Sequence, residues 1–83
     1  MNLYAGIPPR LLAALQLYIS SARPVGSFLR ACLENDLTRA VIRADPEAMV
    51  ALPLIVRWMY DVAPGNAWGS PELVARWLRR EAA

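Results

Sequence analysis

The chain has 83 residues, of which 57% are hydrophobic, and carries nine arginines, no lysine and seven acids for a net charge of +2. That length suits one domain whose core is marginal unless its helices pack tightly or a partner helps, and the apolar share argues against disorder. The charge excess is too small to imply nucleic acid unless it is concentrated on one face, a lone cysteine excludes an internal disulfide, and the absence of histidine excludes a Cys/His zinc site and Ser-His or Cys-His catalysis.

Pro8-Pro9 opens a first helix where proline is tolerated, and Leu11, Leu12, Leu15, Tyr18 and Ile19 recur with helical spacing over residues 9 to 21. Arg23-Pro24-Val25-Gly26 breaks it, because the residue before a proline resists the helical region. A second helix is expected with Ser27 as N-cap and Phe28, Leu29, Cys32 and Leu33 on its apolar side. Asn35-Asp36 ends it and caps a short third helix, on which Leu37, Ala40, Val41 and Ala44 share a face.

Asp45-Pro46-Glu47 combines an N-cap acid, a proline at the first helical position and an acid at the positive end of the dipole. The fourth helix that starts there reaches about Val62, with a stripe of Met49, Leu52, Ile55, Val56, Met59 and Val62 and with Leu54 and Trp58 on another side. Such a helix is central or serves two interfaces. Pro53 inside it removes one helical hydrogen bond, so either a kinked helix or two helices meeting there is expected.

Pro64-Gly65-Asn66 ends that element, and Ser70-Pro71-Glu72 starts a fifth helix with Leu73, Val74, Trp77 and Leu78 facing inward. Trp68, between Gly65 and Gly69, is read as a loop anchor folding back on the junction of the fourth and fifth helices. No segment combines strict alternation with β-branched enrichment, and the longest apolar run, Ala48 to Val56, falls short of the roughly 18 residues of a membrane span. The expectation is an all-α, single-domain bundle of about five short helices, with residues 1 to 6 and 81 to 83 frayed. The N-terminal residues lack a secretory pattern, so a cytoplasmic location is expected.

Most acids have local structural work: Asp36, Asp45 and Glu72 at helix starts, and Arg30 with Glu34, Arg57 with Asp61 and Glu72 with Arg76 as i,i+4 pairs. No catalytic set, metal site or cofactor is therefore predicted. Cys32 lies among apolar neighbours and reads as a buried, inert thiol. Phosphate-binding glycine loops are absent.

Arg76, Arg79 and Arg80 crowd the end of the fifth helix around Trp77, and Arg39 with Arg43 forms a second pair, giving a candidate partner-binding patch if the two faces converge. A helix-turn-helix can be drawn through the second and third helices, but its turn lacks glycine and Asp36 occupies the end where phosphate contacts form. Among the aromatics, Trp58 and Tyr60 are the interface candidates because they lie off the main stripe.

The order of Ile7-Pro8, Ala14-Leu15, Tyr18, Pro24-Val25-Gly26-Ser27-Phe28-Leu29, Glu34-Asn35-Asp36-Leu37, Arg43-Ala44-Asp45, Ala51-Leu52, Ile55-Val56, Tyr60 and Trp68-Gly69-Ser70-Pro71-Glu72 resembles a family of short phage and prophage helical proteins. The resemblance spans about residues 7 to 78, with Glu-Asn-Asp-Leu and Trp-Gly-Ser-Pro-Glu as its strongest runs. It implies a phage origin and a bacterial cytoplasm, and it carries no catalytic residues over. The functional expectation is a small, non-enzymatic inhibitor or adaptor that binds a host or phage protein, with anti-CRISPR activity as one concrete version. Apolar excess suits such a partner or a homodimer, and the slightly basic charge favours steric or allosteric blocking over DNA mimicry. The alternative is a nucleic-acid-binding accessory protein using Arg39, Arg43, Arg76, Arg79 and Arg80.

Overall fold

A computed structural model describes the backbone of residues 3 to 82 and the side chains of residues 3 to 80. Among the described residues the protein is all-helical, with α1 (Pro9–Ser21), α2 (Ser27–Leu33), α3 (Leu37–Arg43), α4 (Pro46–Val62) and α5 (Pro71–Ala82), and no strand. The helix starts are set by local chemistry. Pro9 and Pro46 occupy first-turn positions, while the Asp36, Asp45 and Ser70 side chains accept from the backbone N–H groups of Arg39, Ala48 and Leu73. α2 differs from expectation: Gly26, in extended conformation, is its N-cap, and Ser27 is its first helical residue without a capping side-chain bond.

Between α2 and α3 the chain reverses within Glu34-Asn35-Asp36. Asn35 adopts φ 62°, its N–H donates to the Cys32 carbonyl, and the Asp36 N–H reaches back to the Ala31 carbonyl. These paired bonds make a Schellman closure, in which asparagine supplies the left-handed residue that glycine more often provides. Absence of glycine therefore did not prevent a tight turn here.

The most deeply packed element is α2, not α4. Phe28, Leu29, Ala31, Cys32 and Leu33 are all buried, and α2 touches α3, α4 and α5. α4 is one continuous helix through Pro53, whose ring lies on the exposed side, where water can reach a carbonyl deprived of its helical N–H. Its buried side is Ala48, Ala51, Ile55, Trp58 and Met59, so the expected stripe is rotated: Met49, Val56 and Val62 face outward. On α3 only Ala40 is buried, and Leu37 and Val41, expected inside, are exposed because this two-turn helix lies at the edge of α2.

Tyr18 joins three distant parts of the chain. It is fully buried, its hydroxyl donates to the Ala67 carbonyl at 2.7 Å, and its own carbonyl accepts the Trp77 indole N–H at 2.8 Å. The two rings lie 6.3 Å apart between centroids, tilted at 37°. Loop 63–70 is thereby pinned to α1, with Ala67 as its fully buried residue. A further bond from the Gly69 N–H to the Leu33 carbonyl, 2.7 Å, ties it to α2, and the φ of 118° at Gly69 is open only to glycine at low cost.

Residues 3 to 6 are not frayed. They form a turn closed by the Ile7 N–H on the Tyr4 carbonyl, the Tyr4 hydroxyl donates to Asp61 at 2.8 Å, and Ile7 is buried. The reason is a long-range anchor on α4 that terminal position alone does not reveal. Residues 81 and 82 continue the backbone of α5, whereas residues 1, 2 and 83 of the expected frayed ends lie outside the described residues.

Candidate functional site

α4 builds the first candidate surface. Its outward side carries Met49, Val50, Pro53, Val56 and Tyr60, with Val50 81% and Tyr60 77% exposed, and Arg57 lies among them with its side chain 64% exposed. Beside it, a shallow cleft of about 50 Å³ is lined by residues of α2, α3 and α4 together with Trp68. Small-molecule sites usually enclose roughly 300–1,000 Å³, so this cleft is too small for one. Its lining is mostly apolar, with Leu37 at 68% exposure and Val56 also open to solvent, and includes Asn35 and Asp36 as polar members. Exposed apolar side chains grouped on one side of a helix are a recurrent feature of interaction faces.

Three expectations meet this surface. Tyr60 lies on it, fully outward. Trp58 does not: at 4% exposure it belongs to the core, because residue 58 shares a helical face with Ala51, Ile55 and Met59. Trp68 anchors its loop from another direction than expected, half-buried against the cleft between α2, α3 and α4, while Ala67 fills the interior position near Tyr18. Val50 was not singled out in the sequence and Val56 was placed on the inward stripe, since α4 is apolar nearly all round and its phase is therefore hard to read, while Leu37 was placed on the shared apolar face of α3.

A second surface lies on α5. Arg76, Trp77 and Arg80 with Asn66 line a groove of about 540 Å³. The Arg80 guanidinium sits 4.0 Å from the centroid of the Trp77 ring, a cation–π contact, and Trp77 is itself held by its bond to Tyr18. Arg79 is exposed but does not line this groove. Arg39 and Arg43 line a different groove with Asp36, Thr38 and Ile42. The two arginine sets therefore line separate grooves, and the convergence on which a single patch depended is not found.

Five carboxylates are engaged structurally. Arg10 bridges Asp45 at 3.3 Å and Glu47 at 2.7 Å, Arg30 pairs with Glu34 at 2.6 Å, Arg39 with Asp36 at 3.7 Å and Arg57 with Asp61 at 2.7 Å. The hydrogen bond from Arg57, then that from Tyr4, holds the Asp61 carboxyl below its ordinary value, and Asp61 in turn pushes the Tyr4 hydroxyl up. The expected Glu72–Arg76 pair is not formed among the described residues. Cys32 is buried, and desolvation pushes its thiol up to about 12, far from a reactive thiolate. Among the described residues no group of three or more acids or cysteines is placed to hold a metal ion, and no helix is long and apolar enough to cross a membrane.

Comparison with protein-family models, curated proteins and solved structures returned no match.

Proposed function

We propose that this chain is a small protein-binding inhibitor or adaptor that blocks a host protein by steric or allosteric contact in the bacterial cytoplasm. The observation that carries the reading is the outward apolar face of α4, Met49, Val50, Pro53, Val56 and Tyr60, continued by Leu37 across the cleft. The sequence resemblance to short phage proteins supplies the biological setting, with a defence complex of the kind silenced by anti-CRISPR proteins as the concrete target class.

Affinity capture from infected bacterial cells tests the proposal, using the wild-type chain beside a Val56→Glu/Tyr60→Ala variant of equal melting temperature. One host protein should be retained by the wild type and lost by the variant. Recovery of nothing but further copies of the chain, with light scattering reporting an oligomer, would replace the inhibitor by a self-assembling structural role.

A nucleic-acid reading has one observation in its favour, the basic groove on α5. It has less support because Arg39 and Arg43 belong to a separate groove whose wall includes a carboxylate. Binding to DNA or RNA that falls steeply with salt would favour it.

A further inference from the structure

We propose that the groove between α5 and loop 63–70 receives the carboxylate side chains of an acidic segment on the partner protein. This rests on the protein-binding reading and names the chemistry of a second contact, separate in its residues from the α4 face. Three observations lead to it.

The first is the distribution of charge. Arg10, Arg30, Arg39 and Arg57 each have a carboxylate within 2.6 to 3.7 Å. Arg23, Arg43, Arg76, Arg79 and Arg80 have none among the described residues, and of these Arg76 and Arg80 line one groove, although Glu72 lies one helical turn before Arg76. Two guanidinium groups thus face one groove without a carboxylate among the residues lining it. A groove lined by one sign of charge attracts the opposite sign and speeds encounter.

The second is preorganisation. The Trp77 indole cannot turn freely, because its N–H is committed to the Tyr18 carbonyl at 2.8 Å in the interior. Arg80 over that fixed ring is held by its π-face, which leaves the guanidinium N–H donors available for a planar acceptor. Arg76, one turn earlier, supplies a second fork, and Asn66 borders the groove from the loop. Carboxylates match such forks with two parallel hydrogen bonds.

The third separates an acidic peptide from a nucleic acid. Single strands are held by stacking bases on open aromatic faces along a continuous cationic track. Here Trp77 is only 7% exposed and lies beneath Arg80, and the other arginine pair opens onto a different groove. Neither requirement is met, whereas a short acidic segment needs only the two forks.

The test is fluorescence anisotropy of a labelled alternating Glu-Ala peptide against the full chain at low salt, beside an equally labelled single-stranded oligonucleotide. Saturable peptide binding is expected, weakened roughly tenfold or more by Arg76→Gln/Arg80→Gln, since charge-assisted bonds are lost. Arg76→Gln alone leaves the Trp77 contact intact and should weaken binding in part, which guards against a folding artefact in the double variant. Gln16→Ala, a neutral change on the exposed side of α1 outside both surfaces, should leave peptide affinity unchanged. Absence of peptide binding, equal affinity in the double variant, or tighter binding of the oligonucleotide would each overturn the proposal. Should the peptide fail while a host protein is still captured through the α4 face, this inference falls and the functional reading stands.

Discussion

Tyr18 shows how one side chain closes this fold. Its hydroxyl and carbonyl satisfy groups 49 and 59 residues away, in loop 63–70 and on α5. Tyr18→Phe keeps the ring and leaves the Ala67 carbonyl without its buried donor, so a loss of about 1–2 kcal/mol is expected in urea denaturation. Asn35 is a second test at this scale. Its φ of 62° costs a residue with a plain Cβ about 1 kcal/mol, so Asn35→Ala should destabilise by that amount while Asn35→Gly stays near neutral. The capping roles of Asp36, Asp45 and Ser70 were legible in the sequence because a cap reaches only three residues along the chain. The partners of Tyr18 were not, because nothing local records them.

At the scale of elements, α4 illustrates where periodicity stops informing. Its beginning at Asp45-Pro46 was readable, and so was its end, yet its inward phase was not. Nearly every position is apolar, so the pattern fits more than one rotation, and small residues, Ala48 and Ala51, turned out to face the core. Pro53 lies outward in an unbroken helix, so Pro53→Ala should restore one helical bond and raise stability by about 1–3 kcal/mol, read as a higher melting temperature. Trp68 is half-buried, so Trp68→Ala should cost less than a fully buried indole would, roughly 2 kcal/mol by the same denaturation assay. Of the candidate site, Tyr60 and the α5 arginines were legible by type and spacing. Which arginines share a groove depended on how α3 and α5 are placed against α2.

For the molecule as a whole, compactness and titration are coupled. The radius of gyration is 11.9 Å, close to the roughly 12 Å of a compact chain this long. Its interior includes a phenol and a thiol that burial keeps protonated: Tyr18 is raised from 10.0 to about 12 and Cys32 from 9.0 to about 12. The folded state therefore holds these protons more tightly than the unfolded chain. Their contribution to stability is complete below pH 9 and is lost as the pH rises through about 12. Urea titrations across that alkaline range should show falling stability, with a shallower slope in Cys32→Ala and in Tyr18→Phe.

What the amino-acid order determined by itself was the helical class, the helix ends apart from the start of α2, and the absence of a histidine-based site, because propensity, capping and residue type act locally. Tertiary structure decided the rest. It made α2 the centre, sent Trp58 inward and Met49, Val56 and Tyr60 of α4 outward, and separated the two arginine pairs. Those outcomes depend on which faces meet once all helices compete for one small core, and that competition involves contacts between residues far apart in the chain.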